Sequence, residues 1–481
     1  MNSFAGKIKE LFSSFSKAEI KAIDKLPQAG SERHYFRIHT DEKTFIATYG
    51  ANLKENDSFI YFSKHFKKKN LHVPEIFCIS PGKDIYIQED FGDISLLNKL
   101  EESGCTTAAY DLYKKSLQQL ALLQVKGHEG LDYKKCLTNS SFGKQAIMAD
   151  LLYFKYYFLD ALRQPYDKQK LINDFEALSN YLSHTEYKYF MFRDFQSRNI
   201  MVTPDNDVHF IDYQGGMKGA PQYDVASLLW QAKANLPDEW KQHLLDDYMG
   251  AFEKVVEEPI DKDIFRSQYN GYVLIRLLQV LGAYGFRGLF ERKAHFLTSI
   301  PLALENLKWF VQNQSLGIAV PEFKKVLELC ISNEVIQEFT PIQATAETPL
   351  LVNINSFSFI KTGYPRDETK NGGGFVFDMR GILNPGRFND YKHLSGLDKP
   401  VKDFLEQQTK MPDFLNGVYS IVDIAVEDYI KRGFENLAIN FGCTGGQHRS
   451  VYGAEALARH LRNKFKVKID LTHTNKDNWV R

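Results

Sequence analysis

Phe192-Arg193-Asp194-Phe195-Gln196-Ser197-Arg198-Asn199-Ile200-Met201-Val202 leads through the turn Thr203-Pro204-Asp205-Asn206 into Val208-His209-Phe210-Ile211-Asp212. Two short apolar runs around a polar turn predict a β-hairpin, and its pairing brings Asn199 and Asp212 to neighbouring ends. The order R-D-x-x-x-x-N followed by a second Asp matches a need of phosphoryl transfer. One carboxylate orients or deprotonates the attacking hydroxyl, while an amide and a second carboxylate hold Mg2+ on the nucleotide phosphates. Asp194 is the candidate base, and Asn199 and Asp212 are the candidate metal ligands. A polar turn often carries Asp and Asn for local hydrogen bonding alone. Three such residues in this order, behind a plausible nucleotide lobe, favour the chemical reading.

The chain around this motif has 481 residues, 43% hydrophobic and 25% charged, which excludes a mainly disordered or collagen-like protein. Sixty Lys+Arg balance sixty Asp+Glu, which argues against a protein that coats nucleic acid through bulk charge. Cysteines stand at 78, 105, 136, 330 and 443 with no C-x-x-C pair, so neither a disulfide framework nor a structural zinc site is expected, and a reducing, cytoplasmic setting is. Met1 to Phe15 carries charges throughout, unlike a secretory leader, and no run of 18 uninterrupted apolar residues predicts a membrane span.

Upstream of the motif, Phe36–Ile38 and Thr44–Ala47 read as a hairpin, Asp57–Lys68 as a helix and Asp84–Gln88 as a strand. Helical spacing covers 110–124, 145–162, 167–183, 222–254, 262–285 and 300–313. Pro321–Ile331 can form a helix, and Asn333–Pro349 reads as a linker. Beyond it come strand 351–357, strand 375–378, helix 414–430, strand 437–441 and helix 449–465, the order of an α/β domain. The expected division is 1–333, a linker at 334–349, and 350–481.

Residues 20–312 resemble the aminoglycoside phosphotransferase and choline kinase superfamily, whose fold is similar to protein kinases. The nearer likeness is to sugar kinases of amino sugars such as N-acetylmuramate and N-acetylglucosamine (AmgK-like). It rests on the motif above and on Gly30-Ser31-Glu32-Arg33-His34-Tyr35-Phe36-Arg37, Val73-Pro74-Glu75-Ile76, Gln88-Glu89-Asp90-Phe91-Gly92-Asp93 and Gln222-Tyr223-Asp224-Val225-Ala226-Ser227-Leu228-Leu229. The resemblance implies ATP and Mg2+ as cofactors, Gly30 and Ser31 on a phosphate-covering loop, and Gln88, Glu89, Asp90 and Phe91 as the adenine-contacting hinge. Two departures stand out. Phe192 replaces the His common before Arg-Asp. The strand lysine that pairs with phosphates is absent from Phe45-Ile46-Ala47-Thr48, with Arg33, Arg37 and Lys54 as substitutes to weigh.

The second dense motif is Leu437-Ala438-Ile439-Asn440-Phe441-Gly442-Cys443-Thr444-Gly445-Gly446-Gln447-His448-Arg449-Ser450. Strand, glycine-rich turn and helix start converge backbone N–H groups on one point, where the helix dipole and Arg449 favour an anion. The spacing Cys443-x5-Arg449-Ser450 also satisfies the C-x5-R-S pattern of cysteine phosphatases, a rival enzymatic reading. Residues 351–474, however, resemble the C-terminal domain of RapZ, the RNase adaptor of amino-sugar homeostasis. Ser356–Asp367, Val376–Arg380, Asn384-Pro385, Leu394–Val401 and Gly442–Tyr452 carry that likeness. It implies a domain that binds glucosamine 6-phosphate and a small RNA, with Thr444, Gly445, Gly446, His448, Arg449 and Ser450 on the phosphate and Asp378 and Arg380 near the sugar. Gly386 stands where the pattern has His, and RapZ's G-x-x-x-x-G-K-[ST] domain has no counterpart here. Residues 431–481 hold ten Lys+Arg against four Asp+Glu, enough to attract an RNA backbone or to solvate a helix face.

The sequence thus predicts an α+β protein-kinase-like (aminoglycoside phosphotransferase) domain followed by an α/β RapZ C-terminal-like domain. The expected function is an ATP-dependent amino-sugar kinase fused to a phosphosugar-sensing domain. The rivals are a non-catalytic RNA or protein adaptor, and an aminoglycoside or choline phosphotransferase.

Overall fold

The computed structural model describes residues 2–26, 33–291, 293–367, 369 and 374–480. The chain divides into two compact units, Met1–Gly285 with Leu302–Ser332, and Asn333–Arg481 with Phe286–Pro301.

The first unit opens with β1 (Ala22–Lys25), β2 (His34–His39), β3 (Thr44–Tyr49), β4 (Ile76–Ile79) and β5 (Ile85–Glu89). They form an antiparallel sheet in the order β1-β2-β3-β5-β4. The predicted hairpin is β2–β3, with Ile38 opposite Phe45 and Phe36 opposite Ala47. Alternation along β3 and β5 sends Phe45, Ala47, Ile85 and Ile87 to a cluster with Ile8, Leu11 and Phe12 of helix Asn2–Ser13. On the other face Tyr86 stacks on Phe59 of helix Leu53–Lys67, ring centroids 5.5 Å apart. The central strand is therefore apolar at nearly every position.

The helical part includes Thr107–His128, Lys144–Phe154, Lys168–Ser183, Asp238–Val256 and Lys262–Gly285. The stretch 222–254 is not one helix. It stops at Leu229 and resumes at Asp238 behind Pro237, whose ring cannot continue a preceding helix. The stretch 145–162 also changes character, passing after Phe154 into a π turn at Lys155–Leu159 and ending at Arg163 with φ 55°. The widened turn packs on helix Lys262–Gly285 where that helix is bare. A Cβ on Gly285 would come 2.2 Å from the Tyr157 carbonyl. The run Lys262–Phe290 is long and apolar enough by composition to cross a membrane, but 56% of its most apolar stretch is buried, including Val273, Leu274, Ile275, Leu278 and Leu281.

Short strands β6 (Tyr189–Met191), β7 (Ile200–Val202), β8 (Val208–Phe210) and β9 (Met217–Gly219) pair as β6–β9 and β7–β8. Part of the expected linker is helical, Asn333–Phe339. The second unit holds β10 (Leu351–Ser358), β11 (Gly374–Asp378), β12 (Asn436–Cys443) and β13 (Lys468–His473), all parallel in the order β11-β12-β10-β13. Helix Arg449–Phe465 carries the chain from β12 across to β13. It buries Val451, Ala454, Leu457, Ala458, Leu461 and Phe465 at three- and four-residue spacing.

Candidate functional site

In the first unit the β7–β8 hairpin forms as the sequence predicts. Ile200 faces Phe210, and Ile211 N donates to Asn199 O at 3.0 Å, so Asn199 and the residue before Asp212 are locked side by side. Asn199 Nδ2 donates to the Asp194 carbonyl at 2.9 Å, which turns its amide oxygen the other way. Asp212 has φ 72°, a conformation that reaims its side chain out of the strand direction. Its Oδ1 accepts from Gln214 Nε2 at 2.9 Å and from Arg33. An amide oxygen and a carboxylate at one hairpin base are hard oxygen donors that suit Mg2+.

Asp194 is partly exposed. Gln196 Nε2 donates to its Oδ1 at 2.6 Å, and Arg276 Nη2 and Arg198 Nη2 each lie 3.5 Å from the carboxylate. The loop that carries it is held by residues without an assigned role. Asp224 is fully buried and accepts from Phe192 N (2.7 Å), Arg193 N (2.9 Å) and Gln124 Nε2 (2.8 Å). Burial pushes its carboxyl up to about 7, against the pull of those donors and of Arg193. Arg193, φ 79°, donates to both Asp150 oxygens at 2.9 and 2.8 Å. Burial works against its charge, but Tyr223 and Asp150 hold its pKa above the ordinary value. Asp224 lies inside a quoted sequence segment. What marks it is a carboxylate at the start of an all-buried helix, Gln222–Leu229.

The side chains of 88–91, where the resemblance implies a hinge, are tied into the fold. Glu89 accepts from Lys67 Nζ (2.9 Å) and Glu75 N (3.1 Å), and Asp90 accepts from Arg37 Nε (2.6 Å) and Nη2 (3.1 Å). Burial opposes ionisation of Asp90, yet Arg37 keeps its carboxyl below the usual value. Gln88 is buried, and Phe91 stacks on His209 with centroids 4.1 Å apart. Gly30 and Ser31 lie outside the described residues. His72, His209 and Asp207 also gather here, but His72 Nδ1 is engaged with Val208 O at 2.8 Å and Asp207 with Lys115 at 2.7 Å. They form an internal polar knot.

In the second unit the glycine-rich loop connects β12 to helix Arg449–Phe465. Gly446 has φ 59°, and a Cβ there would stand 2.9 Å from Ser358 N, so only glycine fits. The loop is braced by residues without an assigned role: Ser358 Oγ donates to Thr444 O (2.6 Å), Asn475 Nδ2 to Gly445 O (2.8 Å) and Trp479 Nε1 to Gly446 O (2.8 Å). Cys443 Sγ accepts from Gly446 N at 3.2 Å and lies 3.1 Å from Ser450 Oγ. Arg449 is buried and donates to Ile382 O (2.7 Å), Arg380 O (3.1 Å) and Thr444 Oγ1 (3.4 Å). It has no carboxylate within ion-pair distance among the described residues, its Nε has no hydrogen-bond partner, and burial holds its pKa below the ordinary value. A buried guanidinium with no carboxylate at ion-pair distance among the described residues, beside a bent loop of amides, has electrostatics that favour an anion.

Three further residues singled out in the sequence have definite placements in this unit. The His448 ring points its Nε2 at Tyr391 O, 2.9 Å away, which leaves its backbone for an anion. Gly386 gives that ring room, since a Cβ there would come 3.0 Å from it. Asp378 and Arg380 form an exposed pair, Nη2 to Oδ2 2.6 Å, with the guanidinium 4.3 Å over the Phe359 ring. Among the cations of 431–481, Lys431, Arg432 and Lys464 are already paired with Glu427, Asp428 and Asp423.

Comparison with known proteins matches residues 25–257 to a phosphotransferase enzyme family and residues 350–477 to the RapZ C-terminal domain. The chain thus carries a phosphotransferase-family domain followed by a RapZ C-terminal domain. Curated relatives of the chain include a nucleotide-binding protein of Fervidobacterium nodosum, 32% identical over 197 residues, which are 38% of this chain and 65% of that one. A nucleotide-binding protein of Thermosipho africanus is 35% identical over 138 residues, 29% of this chain and 47% of that one. The chain thus spans less than two thirds of these relatives' length. Similar solved structures include choline kinase LicA from Streptococcus pneumoniae (14% identity, 64% of this chain, 99% of that chain, TM-score 0.44). A choline/ethanolamine kinase family protein from Mesorhizobium loti is also similar (11%, 69%, 99%, TM-score 0.45). The kinase-like phosphotransferase domain with its antiparallel sheet and the RapZ C-terminal domain with its parallel sheet agree with the predicted fold classes.

Proposed function

We propose that the phosphotransferase domain is an ATP- and Mg2+-dependent kinase of an amino sugar, and that the RapZ C-terminal domain binds a phosphosugar without hydrolysing it. The observation that carries the first half is the convergence of Asp194, Asn199 and Asp212 at the base of one hairpin. Asn199, through its amide oxygen, and Asp212 would hold Mg2+. Bound there, the ion neutralises charge on the nucleotide phosphates. Gln196 occupies Asp194 Oδ1, and Oδ2, 3.5 Å from the exposed Arg198 Nη2, would orient the sugar hydroxyl and accept its proton.

Arg276 and Arg198 beside Asp194 support the substrate class. Choline and aminoglycosides are cations, which two guanidinium groups repel, whereas a neutral N-acetylated or an acidic amino sugar meets no such penalty. Buried, unneutralised Arg449 supports an anionic ligand in the second unit. Five cysteines without a disulfide fit a reducing, cytoplasmic setting. The test is ATP consumption by the full chain across a panel of amino sugars, choline and aminoglycosides, with phosphorus NMR of the product. Turnover confined to the cationic substrates would overturn the amino-sugar reading, and no turnover on any would remove the kinase.

A further inference from the structure

The missing strand lysine leaves the nucleotide site in need of another cation, and the three candidates separate in the structure. Arg37 is fixed to Asp90 and Asp93, at 2.6 and 2.7 Å, on the hinge side of the sheet. Lys54 is exposed on the first turn of helix Leu53–Lys67. Arg33 immediately precedes β2 and is 5% exposed. Its Nη2 meets Asp212 Oδ1, its Nε lies 3.4 Å from Glu55 Oε1, and its guanidinium stands over the Tyr35 ring at 5.6 Å. Among the described residues it is the one cation within ion-pair distance of Asp212.

Glu55 sits in the first turn of its helix, where Asn52 Oδ1 caps its N–H at 3.2 Å. Its carboxylate is thereby presented from a fixed backbone. The guanidinium is thus held between the Glu55 and Asp212 carboxylates, which would attract a divalent cation. A guanidinium also offers planar pairs of N–H groups that match phosphate oxygens.

We propose that Arg33 is the phosphate-binding cation of the phosphotransferase domain, reaching the site from β2 instead of β3, with Glu55 as the residue that positions it. Asp212 then shares Arg33 before nucleotide binds and releases it to the phosphates afterwards. This rests on reading the first unit as a nucleotide site, and the test separates the two.

Calorimetry on the full chain with Mg2+-ADP and with adenosine reads the phosphate contact apart from the base contact. Arg33→Met should lower ADP affinity tenfold or more and leave adenosine affinity within about twofold. Arg33→Lys should fall between Arg33→Met and the unaltered chain. Glu55→Gln should weaken ADP severalfold with adenosine unchanged, which a merely structural role would not do. Unchanged ADP affinity in Arg33→Met, or equal losses for both ligands, overturns the assignment while the nucleotide reading stands. If the unaltered chain binds neither ligand, both fall. Should Arg33→Met melt below the assay temperature, an unchanged ADP-to-adenosine ratio in both Arg33→Lys and Glu55→Gln overturns it.

Discussion

Replacing Asp194 by Asn keeps the side chain's size and its bond from Gln196, but removes the proton acceptor. Turnover should fall by about 10²–10⁴-fold with nucleotide affinity nearly unchanged. Asp212→Ala removes the proposed metal ligand and a partner of Arg33, so Mg2+-nucleotide binding itself should be lost. Steady-state kinetics beside calorimetry distinguishes the two, and an Asp194→Asn rate equal to that of the unaltered chain would sink the kinase. In the second unit the bonds of Arg449 and Cys443 give them different work. Arg449 is the buried charge, and removing a charge-assisted phosphate contact costs roughly 2–3 kcal/mol, about a hundredfold in affinity. Cys443 Sγ receives Gly446 N, faces Ser450 and lies beside Arg449, contacts that an oxygen at the same place can also make. Glucosamine 6-phosphate should therefore bind Cys443→Ser almost as well as the unaltered chain and Arg449→Ala far more weakly. Phosphate released by the chain and lost in Cys443→Ser would revive the phosphatase reading.

At the scale of elements, the loop Phe192–Asn199 owes its shape to helix Gln222–Leu229 through Asp224. Burial raises this carboxyl in the folded state to about 7, whereas the unfolded chain titrates near the ordinary value of 3.8. The folded protein thus binds the proton more tightly, and the stability this group contributes is present below pH 4 and lost as pH rises through 7. Melting temperatures across pH 4–8 should show the advantage of the unaltered chain over Asp224→Asn shrinking up to about pH 7 and level beyond it. A pH-independent difference would mean that Asp224 is ionised throughout. The hairpin Ile200–Phe210 and helix Arg449–Phe465 were legible in the sequence because apolar periodicity and turn chemistry agree there. The break between Leu229 and Asp238 was masked by helix-like spacing on both sides of Pro237. Edge strands β1 and β4, four residues each and without fully buried positions, carry too little pattern to be read. At the candidate site, the placement of Asp194, Asn199 and Asp212 around one hairpin could be read from their order. Asp224, Asn475 and Trp479 act through backbone groups distant in sequence, which no local pattern encodes.

For the whole molecule, each unit has a separate core and, on the proposed reading, a separate ligand. The boundary is not a single cut, because Phe286–Pro301 groups with the second unit while Leu302–Ser332 returns to the first. A fragment starting near residue 350 would lack the first of these segments, so the full chain is the better subject for asking whether the units respond independently. A ligand that binds only the folded form stabilises it by about 2.7 kcal/mol at a hundredfold excess over Kd, several degrees for a unit of this size. Mg2+-ADP should raise one calorimetric transition of the full chain and glucosamine 6-phosphate another. Asp212→Ala should abolish the first shift alone and Arg449→Ala the second alone. If either substitution removed both shifts, or if one transition answered to both ligands, the units would unfold as a single cooperative body and the phosphosugar site would be energetically coupled to the kinase site.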